Sequence, residues 1–218
     1  MSELYGDRHR ALQDRFQTRK LADRIEQTIV SDRLSDQGKA FVASRDMFFL
    51  STIDHQGRPT VSYKGGDPGF IRVLDDRTLA FPSYDGNGMF LSLGNIAGNA
   101  QVGLLLIDFE NPLRMRVQGT ASVHTDDPLL AEYFEAELIV RVAVSQTWIN
   151  CPRYIHRYRK ESPARHVPRA HCETPPADWK RIDFLQDALA PKDAGRTAVA
   201  GGILSMEEWA ALVARGEG

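Results

Sequence analysis

Cysteine is scarce: Cys151 and Cys172 are the only two in 218 residues. So few thiols cannot form a disulfide scaffold, and they fit a reducing, cytoplasmic setting. Long apolar runs are missing as well. The longest, Val102 to Ile107, is about six residues, against the ~20 a membrane-crossing helix needs. The opening MSELYGDRHR has no apolar core of the secretory kind. Neither sign of charge dominates: 27 Lys and Arg face 29 Asp and Glu, a net charge of -2. That balance argues against a nucleic-acid coat or a polybasic membrane binder. There is no Gly-x-Ser-x-Gly nucleophile elbow and no Cys-x-x-Cys pair. What is present, 42% hydrophobic residues over this length, suits a globular protein that buries its own core.

The small total conceals a partition. Residues 1–46 carry +1, residues 47–150 carry -5 and residues 151–218 carry +2. Within the last part Arg153, Arg157, Arg159, Lys160, Arg165 and Arg169 face only Glu161. Such a run reads either as a solvated surface or as a site for an anion.

Texture divides the chain into a helical segment over 1–45, a strand-rich region over 46–155 and a proline-broken arm over 156–218. Leu12, Phe16, Leu21, Ile25 and Ile29 recur at helical spacing, and a short helix is expected from Lys39 to Ser44. Strands are expected over 47–53 and 60–63 as a hairpin, then 70–74 and 78–81 as a second. A helix over 89–96 follows, then strands over 101–109, 113–123 and 140–148, with a helix begun by Pro128 and running to Leu138. Pro163, Pro168, Pro175, Pro176 and Pro191 break the arm, leaving short elements over 179–188 and 205–215. The latter opens on a capping box, Ser205 to Glu208. Strands joined mostly by hairpins, with one inserted helix, predict a mainly β protein with flanking helices, a small antiparallel barrel.

Two polar clusters carry the candidate chemistry. In Val61-Ser62-Tyr63-Lys64-Gly65-Gly66, Ser62 offers a hydrogen bond and Lys64 a charge to a phosphate, and the glycines let backbone approach a ligand. In Ser83-Tyr84-Asp85-Gly86-Asn87-Gly88-Met89, glycines lead into a helix start, where free amides attract anions. Asp85 would repel a phosphate there, so it is expected to cap the helix or to face away. The plain alternatives are an ordinary hairpin with an exposed lysine, and a capped turn. Cys151 is expected to be a packed structural cysteine, and His166, His171 and Cys172 are not expected to hold zinc, so no metal site is assigned.

These residues also carry a resemblance. Phe48 to Asp54, Gly57-Arg58-Pro59, Val61 to Lys64, Tyr84 to Gly88, Asn99 to Leu104 and Arg116-Val117-Gln118-Gly119 together resemble the pyridoxamine 5'-phosphate oxidase-like flavoproteins over roughly residues 40–155. The resemblance implies an antiparallel split β-barrel of the FMN-binding type, forming a homodimer with a flavin at each of two subunit interfaces. By position, Val61, Ser62, Tyr63 and Lys64 would line the flavin. Tyr84 would also contact the cofactor, and Asn87, Gly88 and Met89 would fall where the true oxidases carry a basic phosphate-binding segment. Gln146, Trp148, Asn150, Pro152 and Arg153 would reach the flavin from the partner subunit. This sequence departs from the family in having no Arg or Lys between Arg77 and Arg114. Arg153, Arg157 or Arg159 would then replace the missing charge. The substrate-binding motifs of the true oxidases are not recognisable. The implied function is a flavin-dependent oxidoreductase acting on a small-molecule substrate or electron donor, in which the cofactor does the chemistry and no catalytic side chain is named. The alternatives are a non-catalytic flavin-binding or sensing module, or a barrel for a deazaflavin or haem, with His156 or His166 as axial ligand.

Overall fold

The computed structural model describes residues 2–217. Three helices open the chain: α1 (Asp7–Arg15), α2 (Arg19–Thr28) and α3 (Asp36–Ala43). The helical pattern of the first forty residues is thus real but interrupted. Gln17 takes φ 55°, a left-handed conformation that no continuous helix admits. Ser35 caps α3 by accepting from Gly38 N at 3.1 Å, which starts that helix three residues before the expected Lys39.

Seven strands follow: β1 (Met47–Ile53), β2 (Pro59–Gly65), β3 (Arg72–Val73), β4 (Thr78–Ser83), β5 (Gln101–Asp108), β6 (Leu113–His124) and β7 (Leu138–Asn150). They form one antiparallel sheet in the order β2-β1-β5-β6-β7-β4-β3, with helix α4 (Leu91–Gly98) between β4 and β5. The protein is therefore mainly β, with an antiparallel sheet of the split-barrel class. The β1–β2 turn is set by Asp54, whose carboxylate accepts from Gln56 N and Arg58 N, both at 2.9 Å, while Gly57 supplies φ 79°. Along β1, Phe48, Leu50 and Thr52 are buried and their neighbours partly exposed, the alternation of a sheet with one face on the core. That core collects Phe48, Leu50, Phe81, Leu104, Leu106, Met115, Val117, Val140 and Val142.

Two local departures from the sequence reading have clear causes. The helix expected over 128–138 is a single 3-10 turn, Pro128–Glu132, because β7 takes the chain from Leu138 and Glu135 adopts φ 55°. The last strand also carries one residue too many for a regular ladder. Gln118 pairs with Gln146 and Gly119 with Val144, so Ser145 has no counterpart on β6. Before this bulge Val140, Val142 and Val144 point into the core; after it Thr147 does. Gly119 sits at the crossing point, where an added Cβ would lie 2.2 Å from the Ala143 carbonyl oxygen.

Contacts divide the chain into two units. The first runs through Tyr84 and from Phe90 to Glu161; the second comprises Asp85–Met89 and the chain from Ser162 onward. The second unit holds 3-10 turns at Asp178–Arg181 and Asp183–Leu185 and a helix, α5 (Met206–Ala214), closed by the expected Ser205–Glu208 capping box. Among the described residues no helix is long and apolar enough to cross a membrane.

Two stability predictions result. Gly119→Ala forces a side chain against backbone and should cost about 1–3 kcal/mol or more, read as a lower thermal midpoint. An unchanged midpoint would mean that β6 and β7 are not in this register. Asp127 caps the 3-10 turn and is held by Arg141; hydrogen bonds from that guanidinium outweigh burial and bring its pKa to about 2 from 3.8. A depressed folded pKa stabilises above the unfolded value, so this contribution should be intact above about pH 4 and lost as pH falls towards 2. In Asp127→Asn that acid-limb dependence should be smaller.

Candidate functional site

β2 presents two chemically distinct faces. Val61 and Tyr63 point outwards, 68% and 62% exposed, whereas Thr60, Ser62 and Lys64 lie on the core side opposite Thr52, Leu50 and Phe48. On that core side α4 packs through hydroxyl and amide groups. Ser62 Oγ lies 2.7 Å from the buried Ser92 Oγ, and Asn95 Nδ2 donates to Thr52 Oγ1 at 3.0 Å and Thr60 Oγ1 at 3.2 Å. Two hydroxyls sharing one hydrogen bond retain a second donor for a ligand.

Lys64 is two residues along the same side. It is half-buried, and its ammonium makes no ion pair or hydrogen bond with any described residue. Burial pushes its pKa down, with no carboxylate to oppose it. An unpaired, partly desolvated cation is costly to the free protein and is relieved by an anion. The start of α4 adds to this. Phe90 occupies its N-cap with φ 47°, and no side chain caps the helix, so its first amides are available to an acceptor.

The glycines after Lys64 lie close to two of this chain's own aromatics. A Cβ on Gly66 would lie 2.4 Å from the Phe70 ring, and one on Gly65 would lie 2.8 Å from Tyr63. Asp85 does not cap α4. Within the second unit it is bound by Lys180 and Lys192. Beside it Asn87 Oδ1 accepts from Met89 N at 3.1 Å, and Gly88 takes φ 74°. Tyr84 is half-buried and its hydroxyl is pushed up to about 12, by burial first and then by Tyr133 and Asp67.

The outer face gathers the remaining strand candidates. Cross-strand pairs align Tyr63, Phe49, Leu105, Arg116 and Trp148 in one row, and Val61, Ser51, Gly103, Gln118 and Gln146 in the next. Asn150 accepts from Arg116 Nη1 at 3.0 Å, and the Arg116 guanidinium lies 6.0 Å from the Trp148 ring centre. Pro152 and Arg153 are exposed just past the strand, and Arg153 lies 5.9 Å over Tyr154. The two ends of each row share a face yet stand four strand spacings apart, roughly 19 Å along the sheet. The fold brings Ser62 and Lys64 to the same side of β2 as α4; it does not bring β2 and the end of β7 together in one chain.

The sequence of this protein matches the family Pyridoxamine 5'-phosphate oxidase over residues 34–174. The chain belongs to the pyridoxamine 5'-phosphate oxidase family. No curated protein matches it. Among solved structures, HupZ of Group A Streptococcus is 18% identical with TM-score 0.43, covering 53% of this chain and 92% of that one. An FMN-binding protein of Syntrophomonas wolfei is 10% identical with TM-score 0.44, covering 64% and 97%. HutZ, a haem storage protein of Vibrio cholerae, is 20% identical with TM-score 0.39, covering 54% and 94%.

Three functional candidates emerge only with this family member's structure. Ser92 is joined to Ser62 by α4 packing, and its only sequence signal is a serine in a first helical turn. Arg114 and Arg116 alternate with buried Met115 and Val117, so both face outwards. Arg114 Nε is buried without a hydrogen-bond partner. The basic stretch after β7 is partly engaged already: Arg157 Nε donates to the Glu110 carbonyl at 3.1 Å and Lys160 Nζ to Asp46 at 2.6 Å. Cys151, expected to be packed, is exposed, because β7 ends one residue before it. Among the described residues no three His, Cys, Asp or Glu side chains gather as a metal site requires.

If Lys64 is an uncompensated cation, Lys64→Met should raise the thermal midpoint of the ligand-free protein. A fall in that midpoint would show that the ammonium has a stabilising partner.

Proposed function

We propose that this protein binds FMN between two copies of the chain and serves as a flavin-dependent oxidoreductase for a small-molecule substrate or electron donor. The observation that carries the reading is Lys64, a half-buried cation without a counter-charge, on the strand side where Ser62, Ser92 and the uncapped start of α4 offer donors to a phosphate. The donor set fits the phosphate end of a flavin mononucleotide, and the exposed Val61 and Tyr63 fit its ring system. When bound, the flavin would supply hydride or electron transfer. The chain's own work is then to bind, orient and keep water from the ring.

The separation of the outer rows supports a homodimer. Val61 and Tyr63 at one end, and Gln146, Trp148 and Asn150 at the other, cannot touch one ring from a single copy. A two-fold axis sets the β7 end of one copy against the β2 end of the next, generating two equivalent sites. In that arrangement Pro152 and Arg153 reach the flavin from the second copy, and Arg116 joins them. The reduced thiols expected of two unpaired cysteines suit a cytoplasmic setting.

The decisive measurement is native mass spectrometry with a visible spectrum after incubation with FMN. A dimer carrying one flavin per chain is expected; a monomer without flavin overturns the reading. Stopped-flow mixing of the loaded dimer with NADH and NADPH should bleach the flavin. Bound flavin that neither donor reduces would instead make the protein a flavin-binding or sensing module, and titration with haem and a deazaflavin separates the remaining alternatives.

A further inference from the structure

α1 and α2 keep polar groups between them and turn apolar residues outwards. Arg10 Nη1 donates to Asp23 Oδ1 at 2.5 Å, its Nη2 lies 4.0 Å from Glu26, and Tyr5 Oη donates to the Ala22 carbonyl at 3.5 Å. Neither helix contains a buried residue. On the side of α1 away from Arg10 stand Arg8, Leu12 and Arg15, at the i, i+4, i+7 spacing of one stripe, with Phe16 at the helix end. On the side of α2 away from Asp23 and Glu26 stand Leu21, Arg24 and Thr28, with Lys20 beside them. Leu12, Phe16 and Leu21 are 58%, 67% and 61% exposed. Helices of nine and ten residues are marginal in water and draw their stability from packing an apolar face, which these two leave open.

The charges on these open faces are not balanced either. Residues 7–28 include six Lys and Arg against four Asp and Glu. Asp14 is taken by Arg19, and Asp23 and Glu26 by Arg10, while Asp7 sits in the first turn of α1 and complements its dipole. Arg8, Lys20 and Arg24 make no ion pair with a described residue, and Arg15 lies 5.7 Å over the Phe16 ring. Three apolar side chains interleaved with four cations match a boundary that is apolar beneath and acidic above, which is what anionic phospholipid offers. A protein partner fits less well, since the cores of protein interfaces are depleted in charged residues. We propose that α1 and α2 form a docking surface for an acidic phospholipid membrane. Leu12, Phe16 and Leu21 enter the headgroup boundary, and Arg8, Arg15, Lys20 and Arg24 meet lipid phosphates. The near-zero charge of the whole chain is no obstacle, because a charged surface in salt is felt over only about 10 Å and so acts on the nearest charges. The chain then rests on the membrane without crossing it, a role separate from the flavin reading above.

Co-sedimentation of the full chain with phosphatidylcholine vesicles, with and without phosphatidylserine, tests this. Binding is expected only to vesicles that contain phosphatidylserine, and added salt should weaken it. Lys20→Ala with Arg24→Ala should weaken it about thirtyfold, roughly a factor of five for each cation. Lys20→Arg with Arg24→Lys, which keeps both charges, should leave it unchanged. Phe16→Ser should weaken it roughly tenfold at unchanged salt dependence, since it removes apolar burial and no charge. All three side chains are exposed, so the thermal midpoint should hold in every variant. A wild-type chain that stays in the supernatant overturns the inference, as does equal binding to both kinds of vesicle. Native mass spectrometry reads the competing occupant: if Phe16→Ser converts a dimer to monomers, the open face belongs to a second copy and the lipid proposal falls. Flavin binding by the wild type is untouched by either vesicle result.

Discussion

The unpaired Ser145 in β7 fixes which residues the end of the sheet presents, because side chains alternate along a strand and one extra residue exchanges its faces. With the bulge in place, Thr147 enters the core and Gln146, Trp148 and Asn150 turn outwards to share rows with β2. Without it, Thr147 would face solvent and Trp148 would need room inside. Gly119 is the residue that makes the crossing possible, since its missing Cβ is what lets the Ala143 carbonyl come so close. The outer face, its row of aromatics and arginines, and the argument for a second copy all depend on this one irregularity.

On the inner side the same sheet handles polarity differently. Where α4 crosses β1 and β2 the contact is built from Thr52, Thr60, Ser62, Ser92 and Asn95, bonded to one another in place of hydrocarbon packing. Buried hydroxyls and amides are tolerable only when satisfied, and such a network fixes a helix in register more strictly than apolar contact would. It leaves the start of α4 and the side chain of Lys64 as the places where polar capacity is unspent. Satisfied groups thus stand beside an uncompensated cation.

Charge shows how far sequence totals mislead. The strand-rich region carries -5, yet several of its acids are paired: Asp54 by Arg58, Asp108 by Arg45, Asp127 by Arg141 and Asp85 by lysines of the C-terminal unit. Lys64, Arg114 and Arg116 form no ion pair among the described residues. An acidic stretch can therefore offer a locally positive surface, since fields near a site depend on pairing and burial more than on counts.

Period-two alternation, turn residues and capping signals were enough to read β1, β2, β5, β6, the α4 segment and the Ser205 cap from the sequence, because each is decided within a few residues. Family motifs named the candidate strand Val61 to Lys64 for the same local reason. Other features depend on residues distant in the chain. The bulge at Ser145 requires knowing what β6 offers opposite it; the partners of Asp85 lie about a hundred residues away; and the failed helix after Pro128 was decided by strand pairing with β4. That Gly66 and Gly65 make way for Phe70 and Tyr63 was likewise invisible, because a missing side chain records only that space was needed. The sequence by itself determined a mainly β chain, with Ser62 and Lys64 on one side of a strand. Only the tertiary structure decided that Lys64 is unpaired among the described residues, that Asp85 is bound by Lys180 and Lys192 and that three strands stand between β2 and β7 in the sheet. Pairing, burial and distance belong to the folded chain.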